Sequence, residues 1–139
     1  MKLSVKSDYA ARAVLSLARR YGKEGSTPVE DLALENEIPS SYLVQILIDL
    51  KAGHIVKSQR GKEGGYRLAR APAEITFGQV IECIHGPLFD SPALSDGGCP
   101  PELKAVWQRL AKAVEKEATI VNFQQLAELS ASGGANFDI

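Results

Sequence analysis

A short run of hydrogen-bonding side chains lies near the middle of the sequence, at Ser40, Ser41, Tyr42 and Gln45. A glutamine amide pairs with adenine in the major groove of DNA, while hydroxyl groups bind base edges or phosphates. The neighbouring Val44 is suited to contact with a thymine methyl group. Side chains of these types at the start of a helix are typical of a surface that reads DNA.

Positive charge is concentrated in the segment that contains this run. Residues 40–70 carry six basic and two acidic side chains, whereas residues 71–139 carry four basic and nine acidic ones. This asymmetry indicates an anionic partner better than the total charge of -1 does, although a mixed solvated surface is the alternative. The cations expected near phosphates or a narrow minor groove are Lys51, Lys57, Arg60, Lys62 and Arg67.

Two helices are predicted to present this surface. Residues 40–53 carry an apolar stripe at helical spacing, formed by Leu43, Ile46, Leu47 and Leu50. Before them, Thr27 and Glu30 predict a capping box that begins a short helix ending near residues 36–39. Another helix precedes it, with Ser7 as the candidate N-cap. Two helices joined by about four residues match the helix-turn-helix pattern.

A β-hairpin is predicted directly after the second of these helices. Residues 55–60 and 66–69 read as short strands, and residues 61–65 between them contain three glycines. Glycines permit positive φ angles and a close backbone approach to a partner. A hairpin in this position is a wing.

The second half of the chain is predicted to be helical on both sides of an irregular loop. Thr76 and Gln79 predict a capping box for one helix, residues 102–118 form a longer one, and Asn122 is the candidate cap of a short final helix. The long helix has a broad apolar side, formed by Leu103, Val106, Trp107, Leu110 and Val114.

Several short motifs are similar to those of one protein family. They are Met1-Lys2-Leu3-Ser4, Tyr9-Ala10, Ser41-Tyr42-Leu43 with Gln45, and Arg60-Gly61 with Gly64-Gly65-Tyr66. On these residues the chain resembles the Rrf2 family of bacterial transcription regulators over nearly its whole length. The resemblance implies a homodimeric winged helix-turn-helix protein that binds an imperfect palindrome in double-stranded DNA. It adds Lys2 and Gly61 to the candidate DNA contacts.

The resemblance also implies how the chain is organised. Residues 1–86 are expected to form the DNA-binding domain, residues 87–101 a loop of the sensor type, and residues 102–139 a dimerisation helix, a short final helix and a tail. In this family the long helix crosses to the partner subunit, so its apolar side belongs to the dimer; an intramolecular core is the alternative. Val44 stands where a cluster-assembly member has glutamate, so the target sequence does not carry over.

A cofactor is the point on which the chain departs from part of the family. Cluster-binding members carry three cysteines in the loop, because thiolates are the usual ligands of iron–sulfur clusters. This chain has Cys99 at the last of those positions and Ala93 and Pro87 at the other two. Glu102 and Asp8 occupy positions from which other members supply a ligand. We therefore expect no metal and no cofactor, with an iron–sulfur cluster as the alternative.

The two cysteines leave other sensing schemes open. Cys99 lies near the start of the long helix, where a thiolate is favoured, so it is a candidate redox-reactive thiol. It is also a candidate for pairing with Cys83 or with its mate in the dimer, although Cys83 fits an apolar filler equally well. A small effector, a protein partner, or an inert Cys99 are the remaining alternatives.

The remaining motifs exclude most other functions. His54 and His85 lie at helix ends away from any nucleophile, and no phosphate loop, zinc signature or serine elbow is present, so we expect no enzyme. The sequence has neither a signal peptide nor an apolar run near the roughly 20 residues that span a bilayer, which predicts a cytoplasmic protein without a membrane partner. We predict a sequence-specific DNA-binding regulator, expected to repress. A cluster- or redox-sensing regulator using Cys99, or a winged helix that contacts protein, are the alternatives.

Overall fold

The computed structural model describes residues 2–62 and 64–131. The described part is mainly helical with one two-stranded antiparallel hairpin, which confirms the predicted fold class. Its elements are α1 (Val5–Arg19), α2 (Val29–Asn36), α3 (Ser40–Ala52), β1 (Val56–Gln59), β2 (Gly65–Leu68), α4 (Phe77–His85), α5 (Pro101–Ile120) and α6 (Phe123–Ala131). Single turns of 3-10 helix lie at Pro72–Glu74 and Pro92–Leu94.

One hydrophobic core joins both halves of the chain. The apolar face of α1 meets α3, α4 and α6, and it supplies Ala10, Ala13, Val14 and Leu17 to the core. Phe123, at the start of α6, is fully buried in the same cluster. Its N–H donates to the carbonyl of Ile75 at 3.0 Å, so α6 returns to the core after α5. These contacts hold α3 on a rigid support.

Thr27 has a different role from the predicted helix cap. It forms an isolated β-bridge to Tyr66, in which each backbone N–H donates to the other residue's carbonyl at 2.9 Å. The N-cap of α2 is Pro28, without a side-chain hydrogen bond, so the predicted capping box at Thr27 is wrong. A local capping pattern cannot reveal that Thr27 forms a bridge to a hairpin about 40 residues away.

Gly65 explains why this bridge is so close. A Cβ atom on Gly65 would lie 2.2 Å from the carbonyl oxygen of Thr27. The predicted close approach of a backbone to the hairpin glycines therefore occurs within the chain itself. Gly61 alone among the described hairpin glycines has a positive φ, of 110°.

The caps of the other helices follow the sequence patterns unevenly. Thr76 and Gln79 form both bonds of the predicted capping box, at 3.0 and 3.1 Å. Asn122 caps α6 through Gln125 in the same way, with both bonds at 2.9 Å. The prediction for α1 is wrong, because its N-cap is Ser4 and Ser7 is buried within the helix.

Within the described ranges, none of the helices combines the length and apolar character needed to cross a membrane.

Candidate nucleic-acid interface

The first half of α3 presents one polar side to solvent. Its apolar stripe, from Leu43 to Leu50, is fully buried, so the opposite side of the helix faces solvent. The predicted contact residues on the exposed side are Ser40, Ser41, Tyr42, Val44 and Gln45. An exposed helix face of this kind on a buried support is what entry into the major groove requires.

A three-residue network holds the polar side of α3. Gln45 Nε2 donates to Asp49 Oδ1 at 3.2 Å, and Lys6 Nζ donates to Asp49 Oδ2 at 2.7 Å. The hydrogen bond from Lys6 keeps the pKa of the Asp49 carboxyl below its usual value. Sequence reasoning missed both partners. The i,i+4 spacing of Gln45 and Asp49 was a usable signal, whereas Lys6 is brought in by the fold from 43 residues away.

Tyr42 is held in place by a second contact with α1. Its ring meets the ring of Tyr9 edge to face, with centroids 5.7 Å apart. The guanidinium of Arg12 lies 5.5 Å from the centroid of Tyr9, and Arg12 also forms an ion pair with Asp8 at 2.7 Å. Asp8, a candidate sensor ligand, is thus occupied within its own helix. The edge contact holds the Tyr42 ring against α1.

The chain passes from α3 to the hairpin through a tight reversal. Gly53 ends the helix, His54 takes a left-handed conformation with φ of 60°, and Ile55 N–H donates back to Leu50 at 3.0 Å. The hairpin therefore follows α3 directly, which is the position of a wing after a helix-turn-helix.

The predicted cations lie on exposed surface around α3 and the wing. Lys57 is on β1, and Arg60 and Lys62 flank Gly61 at the hairpin tip. The tip is closed by a bond from Gly64 N–H to Gly61 O at 3.0 Å. Lys51, in the last turn of α3, and Lys2, before α1, are also exposed.

The apolar side of α5 is left in solvent. Leu103 and Val106 are each 55% exposed and Leu110 is 45% exposed. Trp107 and Val114 are half-buried, and Trp107 packs against Phe89 with ring centroids 6.2 Å apart. No residue of this 20-residue helix is fully buried in the described chain. None of these side chains belongs to the buried core described above.

The candidate sensor residues are not brought together. Cys83 Sγ donates to the backbone carbonyl of Asp49 at 3.3 Å, between α4 and α3, and burial raises the pKa of this thiol. Cys99 is half-buried just before Pro100, the N-cap of α5, and Glu102 is exposed in the first turn of that helix. Among residues 2–62 and 64–131, no three His, Cys, Asp or Glu side chains are placed to share a metal ion. The described chain thus offers two thiols, Cys83 and Cys99, on different elements, whereas thiolates are the usual ligands of iron–sulfur clusters.

The fold consists of three helices, of which α3 has one exposed side, and a hairpin that follows α3 at once. This arrangement defines a winged helix-turn-helix protein. The chain belongs to the Rrf2 family, whose sequence model, described as an iron-dependent transcriptional regulator, matches residues 3–129. The protein is therefore a transcription regulator and not an enzyme, as predicted.

Relatives agree with this assignment over most of the chain. A Mycobacterium tuberculosis protein named as a transcriptional regulator of the helix-turn-helix type is 37% identical over 131 residues, 88% of this chain and 80% of the relative. The regulator CymR of Bacillus subtilis is 33% identical over 127 residues, 91% of this chain and 90% of the relative. The structure of B. subtilis CymR, called the global cysteine regulator, superposes with a TM-score of 0.81 at 31% identity, covering 92% of this chain and 97% of that one. T. potens IscR superposes with a TM-score of 0.78 at 26% identity, covering 99% and 94%.

Proposed function

We propose that the protein is a homodimeric regulator that binds double-stranded DNA at an imperfect palindrome and acts as a repressor. The observation that carries the proposal is the exposed polar side of α3, from Ser40 to Gln45, on a fully buried apolar stripe. Gln45 reads a base edge, Tyr42 and the serines bind phosphate or bases, and Arg60 enters the minor groove. A regulator of this kind works on chromosomal DNA in the cytoplasm.

The apolar side of α5 supports the dimer. Leu103, Val106 and Leu110 are too exposed to stabilise a monomer, and a second copy of α5 would bury them together with Trp107 and Val114. A two-fold axis through this contact places two copies of α3 on two half-sites, which is why the operator is expected to be palindromic.

Salt dependence of DNA binding tests the proposal. If about six or more phosphates are contacted per dimer, the affinity for duplex DNA falls steeply between low and moderate salt. Arg60→Ala is expected to weaken binding by roughly tenfold with the dimer intact. Lys112→Ala, which removes a cation from the polar side of α5, is the matched control and is expected to change affinity by less than about twofold. A flat salt profile, or loss of the dimer in Arg60→Ala, would contradict this assignment of the DNA surface.

We further propose that sensing works without a resident cluster. This view is supported by the positions of the two cysteines, because Cys83 lies on α4 and Cys99 in the loop before α5. Glu102 is also exposed to solvent. A redox reaction at Cys99, a small effector or a protein partner would then supply the signal; Staphylococcus aureus CymR, a structural relative at 29% identity and a TM-score of 0.74, has been crystallised in an oxidised form. Anaerobic purification with iron and sulfide determination is the test, and a brown protein with stoichiometric iron and sulfide would overturn the proposal.

A further inference from the structure

A cavity of about 660 Å³ lies between the end of α1, the turn after it and the hairpin. Its lining comes from α1, residues 20–27, β1 and β2, so it is separate from the exposed side of α3. This volume is within the range of small-molecule sites, about 300–1,000 Å³. The cavity has no role in the DNA contacts assigned to α3.

Positive charge dominates the cavity lining. Lys23, Lys57 and Arg67 line it together with a single carboxylate, Glu24. Arg20 also lines it, but its guanidinium is paired with Glu35 through two hydrogen bonds, one of 2.8 Å, and so adds little net charge.

The pairing of the two strands brings two of these positive charges close together. Lys57 lies directly opposite Arg67 in the ladder between β1 and β2. Like charges at opposed positions of an antiparallel pair repel and destabilise it. An anion bound between these side chains would remove that repulsion, which makes the cavity suited to a negative ligand.

The edge of β2 adds a backbone donor. Tyr66 directs its N–H and C=O to Thr27, with both bonds at 2.9 Å. Alternate residues of a strand direct these groups to the same side, so Leu68 points its N–H away from β1 and toward this edge. Thr27 forms only an isolated bridge, and Leu68 lines the cavity beyond it. A sheet edge is a known element of anion-binding concavities, and Leu68, although buried, lines this one.

We propose that this cavity binds an oxyanion, a carboxylate or phosphate group, through Lys23, Arg67 and the backbone N–H of Leu68. The planar guanidinium of Arg67 matches either group with two parallel hydrogen bonds. Two sources share this chemistry: a small organic anion free in solution, and a backbone phosphate of bound DNA. Tyr21 and Tyr66, which also line the cavity, would flank the body of a small ligand.

Calorimetric titration of the DNA-free protein at low ionic strength tests the proposal, with citrate and inorganic pyrophosphate as probes. We expect saturable binding at one site per chain. Arg67→Ala and Lys23→Ala, both at exposed positions where folding should be preserved, are expected to weaken it about tenfold each. Lys112→Ala, on an element that does not line the cavity, is the control and is expected to change it less than about twofold. Absence of saturable binding, or an equal loss in Lys112→Ala, overturns the proposal.

Competition with a duplex of unrelated sequence identifies the source of the oxyanion. If Arg67→Ala leaves duplex affinity unchanged while it weakens citrate binding, the site serves a free anion. If citrate displaces the duplex from the parent protein but not from Arg67→Ala, the site holds a DNA phosphate. Either result supports an oxyanion site. Failure of the proposed DNA binding would be distinguishable from failure of this site, because the calorimetric titration uses the DNA-free protein.

Discussion

Asp49 accepts a hydrogen bond from Gln45, one turn earlier on α3, with 3.2 Å between Oδ1 and Nε2. The other carboxylate oxygen binds Lys6 of α1 at 2.7 Å. Gln45 is the main candidate for reading a base, and this bond fixes the rotamer of its amide before DNA arrives. The conformational entropy of the Gln45 side chain is then lost on folding, so it does not weaken binding. We therefore propose Asp49 as a positioning residue for the base contact proposed for Gln45.

The first prediction concerns specificity. Asp49→Ala is expected to lower the ratio of operator affinity to affinity for unrelated duplex by roughly fivefold, because a freely rotating Gln45 discriminates bases less well. The absolute affinity for unrelated duplex is expected to rise slightly, since a negative charge leaves the DNA-facing side. Fluorescence anisotropy with both duplexes measures the ratio.

Asp49→Asn is the matched control for this effect. It keeps an acceptor for Gln45 and loses only the charge that binds Lys6. It should therefore retain most of the specificity, and an equal loss in both variants would show that the Lys6 ion pair, and not the orientation of Gln45, is what matters.

The second prediction concerns acid stability. Hydrogen bonding to Arg20 lowers the pKa of Glu35 below its ordinary value. A lowered folded-state pKa means that the stabilisation is fully present above the ordinary value of 4.5 and is lost as pH falls through the lower, folded-state pKa. Glu35→Gln should lower the free energy of unfolding at neutral pH by no more than about 1 kcal/mol, because both side chains are more than a third exposed.

The difference in the free energy of unfolding between the parent and Glu35→Gln should shrink as the pH falls below 4.5. Urea unfolding at a series of pH values measures it. Glu30→Gln, at an exposed carboxylate on the same helix, is the control. A difference that grows toward acid pH would contradict the assigned sign.

The third prediction separates two wing glycines. Gly65→Ala places a Cβ against the Thr27 backbone, which cannot move without breaking the Tyr66 bridge, so we expect a loss of about 2 kcal/mol or more. Gly61→Ala meets open space and has only its positive φ to oppose it, so about 1 kcal/mol is expected. Urea unfolding compares the two, and equal losses would argue against a structural role for the bridge.

Local patterns predicted most of the elements of this fold. The apolar stripe of α3 placed its buried and exposed sides correctly, because that stripe depends only on helical periodicity. The capping box at Thr76 and the cap at Asn122 formed as predicted, since each joins residues three positions apart.

Contacts between distant segments could not be predicted in this way. The Thr27 bridge and the Lys6 ion pair each join residues about 40 positions apart, and neither leaves a periodic signal. The cavity is a further case, because its lining residues look like ordinary surface charges until α1 and the hairpin are placed side by side. Family resemblance supplied the expectation of a dimer, which the apolar side of α5 alone did not distinguish from a core.

The fourth prediction concerns the dimer. Leu110→Glu places a charge in the middle of the exposed stripe of α5, where burial against a second copy would require its desolvation. We expect dissociation to monomers in analytical ultracentrifugation and loss of operator binding, with near-native helix content by circular dichroism. Lys112→Glu, on the polar side of the same helix, should remain dimeric. A dimeric Leu110→Glu would place the interface elsewhere.

The fifth prediction concerns the thiols. Cys99 directly precedes the N-cap of α5 and is only half-buried. Cys83 is held by the Asp49 carbonyl, and its raised pKa keeps it a neutral thiol. Hydrogen peroxide should therefore oxidise Cys99 to a sulfenic acid, with peroxide reduced to water, and change operator affinity in the parent protein. Cys99→Ser should bind operator equally with and without peroxide, while Cys83→Ala should respond as the parent does. If Cys99→Ser responds to peroxide as strongly as the parent does, the redox switch lies outside the loop that carries Cys99. Loss of the response in Cys83→Ala would instead assign the switch to Cys83, between α4 and α3.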